Sequence, residues 1–270
     1  MSPNTVVRVW ESLDAFQVAR KAYERVLAPT PSQAQEEVAK NAICLLLWME
    51  TIVGVKVLQD VLAMESDSTT LSQVIQEADA VHSYVVRGHD DLTPEHLEGI
   101  PAITALCGGG RLVDSRFFEF HRNLVAHGVG VIQDNVAPLL FNDRLHVMLL
   151  RYENEVRLSV NPRRAPALLE PFVARTRTPP EDSRAAFVSF PDSPPTSPER
   201  ILGYFERVLG FKHHIERIVM EQPREGEVPK HGIIVFKSAE LREEAMMNET
   251  PIFFRINGHD MWVQLYQPLF

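Results

Sequence analysis

The sequence predicts an α+β chain, in which an all-α N-terminal region is followed by a βαββαβ sandwich of two helices on one sheet. Three observations carry this expectation. From about residue 6 to 136, apolar residues recur at spacings of three and four, the period of helices buried on one face. The stretch 161–183 breaks the pattern, with prolines at 162, 166, 171, 179 and 180 and arginines at 163, 164, 175 and 177. Beyond Arg184, short alternating runs are interleaved with helical spacings. The expected division is a helical domain over 1–160, a Pro/Arg-rich linker over 161–183 and the sandwich over 184–270. With 270 residues, 45% of them hydrophobic, the chain can bury a core in each.

In the helical region the first helix is expected over 12–27, ending before Pro29 and Pro31. Ser32, followed by Gln35 and Glu36, opens a second helix in the manner of a capping box and continues to about residue 63. This helix holds the most apolar window, 42–55, which Glu50 interrupts and Lys56 ends well short of a bilayer span, so a buried core helix and no membrane partner are expected. A third helix is expected over 70–86, after the Ser66-Asp67-Ser68 turn. A fourth is expected over 94–107, with Thr93 as N-cap. Gly108-Gly109-Gly110 lacks a following Lys-Ser or Lys-Thr and reads as a hinge, not a phosphate loop. A fifth helix carries Phe117, Phe118, Phe120, Leu124 and Val125. Two alternating segments, 146–150 and 156–160, separated by Glu153-Asn154-Glu155, predict a small hairpin within 145–160.

In the C-terminal unit the first strand is expected over 185–190, closed by Pro191. A helix follows, with Ser197 as N-cap and Pro198 in its first turn, running through Ile201, Tyr204, Phe205 and Val208 to Gly210. The second strand covers 215–220 and the third 232–236. Ser238 opens another helix through Ala245 and Met246, and the Asn257-Gly258 turn leads into a last strand over 261–266.

The net charge of −9 argues against strong non-specific nucleic-acid binding, which depends on neutralising phosphates with Lys and Arg. Two cysteines, Cys44 and Cys107, lie in apolar sequence as reduced thiols would, and no signal peptide is visible, so nucleus or cytoplasm is expected. His121 and His127 fall on different faces of one helix, and the adjacent His213 and His214 should point to opposite faces of a strand, which argues against a shared metal. There is no Gly-x-Ser-x-Gly elbow and no His-Glu-x-x-His motif. No catalytic residue, cofactor or metal is expected, and the chain is not read as an enzyme. Glu240, Glu243 and Glu244 have the spacing of a solvated helix face.

The C-terminal unit resembles the RNA-recognition-motif (RRM) family. Phe187, flanked by Ala186 and Val188, stands at the aromatic position of the shorter RRM signature; the third strand, ending in Val235-Phe236, resembles the longer one; and the Asn257-Gly258 turn is similarly typical. The resemblance implies a ferredoxin-like fold that binds single-stranded RNA by stacking bases on an open sheet face. Strand alternation would put Phe187, Ser189, His231, Ile233, Trp262, Gln264 and Tyr266 on that face. Where the family has two outward aromatics in its third strand, this chain has His231 and Ile233. The expected RNA contacts are Phe187, His231, Ile233, Trp262, Gln264 and Tyr266, with Lys230, Arg217 and Lys237 as the nearest cations. The whole chain also resembles a plant set of RRM-like proteins with an N-terminal helical region, and that region would recruit a protein partner. The alternative is a protein-interaction scaffold whose RRM-like domain no longer binds RNA. A further arrangement is a helical half that covers the sheet and buries Trp262 until a partner releases it.

Overall fold

Short polar side chains mark where the helices start. Ser32 and Gln35 cap reciprocally: Ser32 N–H donates to Gln35 Oε1 at 2.8 Å, and Gln35 N–H donates to Ser32 Oγ at 3.3 Å. Asp114, Asn142, Ser197 and Ser238 each accept from the backbone N–H three residues on. The computed structural model describes residues 7–27, 30–53, 56–65, 69–87, 100–108, 112–158, 163–190, 195–223, 225–247 and 249–270. Within them the fold is α+β, with helices concentrated in the N-terminal part and a five-stranded antiparallel sheet in the C-terminal part.

The helical part comprises α1 (Val9–Ala15), α2 (Gln17–Val26), α3 (Gln33–Val53), α4 (Val57–Ala63), α5 (Thr69–Arg87), α6 (Pro101–Leu106), α7 (Ser115–Phe120), α8 (Arg122–Asn135), α9 (Ala137–Leu140), α10 (Asp143–Arg157) and α11 (Pro166–Leu169). The helix expected over 12–27 is two helices that meet at Phe16, and the fifth breaks at His121 into α7 and α8. α3 is the axis of the bundle. Every residue from Ala42 to Met49 is buried, which explains why its apolar window has no polar face. The start of the helix expected over 94–107, with Thr93, the Ser66-Asp67-Ser68 turn and Pro191 lie outside the described residues. Among the described residues no helix is long and apolar enough to cross a membrane.

The hairpin expected within 145–160 is not formed: Asp143–Arg157 is helix α10. Asn142 caps it, no Gly or Pro interrupts it, and Arg151 and Glu155 pair one turn apart at 3.1 Å. The alternating appearance came from Val147, Leu150 and Val156, apolar residues that point to solvent instead of a core.

Part of the Pro/Arg-rich stretch 163–183 packs on the helical half. Leu168 is buried with Val9, Leu13 and Leu149, and the Arg164 guanidinium lies between the rings of Trp10 and Tyr152, 3.8 and 4.7 Å from their centroids. The Asn135 side chain accepts from Arg175 N–H at 2.6 Å and donates to Thr176 O at 2.6 Å. This one buried amide thus satisfies a stretch of irregular backbone.

The sheet has β1 (Ala185–Ser189), β2 (Ile215–Met220), β3 (His231–Phe236), β4 (Ile252–Ile256) and β5 (His259–Leu265), in the order β2-β3-β1-β5-β4. This differs from the four strands expected: Ile252–Ile256 is a fifth strand at one edge, joined to β5 through Asn257-Gly258. Both turn residues have positive φ, as the tight hairpin turn requires. Helices α12 (Pro198–Arg207) and α13 (Ala239–Ala245) cover one face. Beneath them, Ala186, Val188, Ile234, Phe236, Met261, Val263 and Leu265 join Ile201, Phe205, Ala245 and Met246 in one core. The opposite face is where the sequence puts its candidate contacts.

Candidate functional site

Because side chains alternate along a strand, Phe187, His231, Ile233, Trp262, Gln264 and Tyr266 share the face opposite α12 and α13. The middle of that face is not open. The helical half lies on it, and Ala185, Phe187 and Tyr266 belong to the same core as Trp48, Phe117, Phe118 and Val125. Phe187, expected to offer an open ring, has 0% exposure; the rings of Phe117, His121 and Tyr266 surround it at 5.2, 4.8 and 5.8 Å between centroids. Tyr266 is equally buried and accepts a hydrogen bond from Trp48 Nε1 at 3.3 Å. Burial pushes its hydroxyl pKa up to about 12. Gly128 on α8 makes this approach possible, since a Cβ there would collide with both the Trp48 indole and the Tyr266 hydroxyl.

His231 is also buried, and its role is to join the halves. Its Nε2 donates to Asp114 Oδ1 at 2.8 Å, and the same oxygen accepts from Phe117 N–H at 2.9 Å, capping α7. Burial raises the Asp114 carboxyl, but the hydrogen bond and charge of His231 outweigh it and hold the group below its ordinary range. At the corner of the cover, Arg116 Nε donates to Glu221 Oε1 at 2.6 Å, while Glu221 Oε2 accepts from the Lys230 and His231 N–H groups. Ile233 packs, half-buried, against the helical core.

His121 sits buried inside this seam among Phe117, Phe120 and Phe187. Desolvation first, and the neighbouring His231 second, push its pKa well below 6.5, so it is neutral at physiological pH. His121 Nε2, His231 Nδ1 and Ser189 Oγ have no hydrogen-bond partner among the described residues. Ser189 stands opposite His231 across β1 and β3, and His231 holds Asp114, so the residue types of an acyl-transfer triad are adjacent. The arrangement is not poised for that chemistry: Ser189 Oγ makes no hydrogen bond to the imidazole and lies under the helical cover. Among the described residues no group of three or more His, Cys, Asp or Glu could hold a metal ion.

The remaining candidates lie at the rims. Trp262 is half-exposed, not buried beneath the cover, and rests on Phe253 of β4 with 5.1 Å between ring centroids; Phe253 itself is 43% exposed. Arg255, next on the same face, makes a two-point contact with Asp260 at 2.6 and 3.1 Å. Gln264 is buried and donates to Thr250 Oγ1 at 2.6 Å, so its amide is committed inside the fold. At the far rim, Arg217 is exposed but already paired with Glu181 and Glu216, and Lys230 is exposed.

The structure therefore brings Phe187, His231, Ile233 and Tyr266 together in a seam and leaves Trp262, Lys230 and Arg217 apart from one another. Sequence reasoning missed the partners across the seam: Trp48, Asp114, Phe117 and His121. The cluster Phe117, Phe118, Phe120 and His121 was a signal, since a helix so rich in rings needs more apolar surface than its neighbours supply. No family model, no curated protein and no solved structure matches this chain.

Proposed function

We propose that the chain is a protein-interaction scaffold whose RRM-like domain binds its own helical half in place of RNA. The observation that carries this reading is the burial of Phe187 among Phe117, His121 and Tyr266. A stacked base needs a free aromatic face, and here helical side chains occupy that position. The net charge of −9 and the carboxylates already on Arg217 weaken the electrostatic part of RNA affinity as well. The resemblance to the RRM family is part of the proposal. With β4 taken as an added edge strand, the other four run β2-β3-β1-β5, with the first and third strands central and adjacent as a βαββαβ sandwich requires. A second reading, RNA held at the rim, is favoured by one observation: the half-exposed Trp262 beside Phe253 offers ring surface with Arg255 nearby.

The test is fluorescence anisotropy of the full chain with a pool of short random single-stranded RNAs at moderate salt. The scaffold reading expects no saturable binding. Saturable binding that Trp262→Ala weakens by the about 1–3 kcal/mol of one stacked base would replace it with the rim reading.

A further inference from the structure

A scaffold needs a surface on which a partner can sit, and helix α10 presents one. Its inner side buries Leu149 with Val9 and Leu13 of α1 and Leu168 of α11, and His146 against Leu140 O of α9 at 3.0 Å. Its outer side carries Val147 and Leu150, continued at the C-cap by Leu158, and these are 64%, 57% and 73% exposed. Together with Asn154 they form a row at steps of three, four and four residues, the seam spacing by which one helix packs lengthwise on another. Solvated helix faces are ordinarily polar, so a row of large apolar side chains at that spacing is an unfilled packing surface. Asn154 in the row adds a polar group of the kind that fixes register between paired helices.

The charges beside the row narrow the partner. Arg144 and Arg151, seven residues apart, flank it on one side, and Arg157 lies on the other. Asp143 is held by Arg20 at 2.6 Å and Glu155 by Arg151 at 3.1 Å, and Glu153 accepts from Gln17 Nε2 at 3.3 Å, while Arg144 and Arg157 make no ion pair among the described residues. Two arginines without an ion pair among the described residues thus flank the row, on a chain of net charge −9. A second copy would bring Arg144 and Arg157 against the same unpaired arginines, while the neighbouring Asp143, Glu153 and Glu155 are already engaged by Arg20, Gln17 and Arg151, so self-pairing is disfavoured.

We propose that the outer face of α10 docks an amphipathic helix of a partner protein, with aliphatic side chains in its seam and glutamates or aspartates along its flanks. The aliphatic teeth fill the spaces around Val147, Leu150 and Leu158, and the acidic flanks meet Arg144 and Arg157. This names the partner class for the scaffold reading, yet the two fail separately: RNA binding by the full chain would remove that reading whatever happens at α10.

The experiment uses the full chain and a labelled synthetic helical peptide with leucines at seam spacing and glutamates on both flanks. A twin peptide carrying lysines in place of the glutamates serves as control. Anisotropy should show saturable binding of the glutamate peptide and little of the lysine peptide. Leu150→Glu should weaken it about tenfold or more. Arg144→Glu combined with Arg157→Glu should transfer preference to the lysine peptide, a reversal that loss of folding cannot imitate. The proposal is overturned if neither peptide binds or both bind alike. It is also overturned if vesicles of phosphatidylcholine and phosphatidylserine bind the face in place of the peptide, or if the chain forms dimers that Leu150→Glu dissolves.

Discussion

One face of one sheet carries two aromatic groups with opposite fates. Phe187 and Tyr266, in the middle, are sealed under α7 and α8, whereas Phe253 and Trp262, toward the β4 edge, remain accessible. Both groups satisfy the same period-two pattern, and both are tilted aromatic pairs, at 5.8 and 5.1 Å. What separates them is the other half of the chain: Gly128 lets α8 approach Tyr266, and Asp114 reaches His231, whereas the ring that meets Phe253 is Trp262 of the sheet itself. Alternation assigns a side chain to a face; only tertiary packing decides whether that face meets solvent, ligand or the same chain.

The largest expected difference between the two groups is in stability. Phe187→Ala should destabilise the chain by about 3–5 kcal/mol, because it opens a cavity shared by both halves, and urea unfolding should show both halves weakened together. Trp262→Ala, at a half-exposed site, should cost about 1 kcal/mol or less. Equal losses at the two positions would break the distinction between sealed and open.

Next in size is Gly128→Val, which forces a side chain against Trp48 and Tyr266. Overpacking of this kind costs about 1–3 kcal/mol. Thermal melts should show it, accompanied by a red shift of Trp48 emission in a background where Trp10 and Trp262 are Phe. An unshifted emission would mean that α8 does not hold the sheet.

The smallest effect concerns pH. His121 has a depressed pKa in the folded chain, so below its ordinary value of about 6.5 the unfolded chain takes up a proton that the folded chain refuses. Its contribution is therefore full above that pH and is lost as pH falls through it, at up to about 1.4 kcal/mol per pH unit. Glu50, raised to about 7 by burial, acts in the opposite direction over the same range, since the folded chain then binds the extra proton. The comparison of wild type with His121→Phe isolates the histidine: the variant should resist acid better as pH falls below about 6.5. Parallel stability profiles would place His121 outside the seam.

Much of the fold was legible because local chemistry and packing agree there. Ser197 and Ser238 cap the helices they were expected to cap, and Ile215–Met220 is the strand its sequence suggests. β4 was missed although Ile252, Phe254 and Ile256 alternate with Phe253 and Arg255, because four strands already accounted for the expected sheet. α10 was misread for a physical reason that bears on function: its outward apolar row contradicts the polar face a solvated helix should have. At the candidate site, the face of each residue could be read from β-strand period, but the cover could not. His231 and Asp114 are 117 residues apart in sequence and Trp48 and Tyr266 218 apart, and no local pattern reports such contacts.

The central claim is that the helical half occupies the aromatic centre of the sheet. The measurement that tests it most directly is NMR on the full chain with selectively labelled phenylalanine, recorded with a soluble paramagnetic agent. The account predicts cross-relaxation between the Phe117 and Phe187 rings, both protected from broadening, while Phe253 broadens. A Phe187 ring that broadens with the agent and shows no contact to Phe117 would contradict it and return the sheet to the solvent.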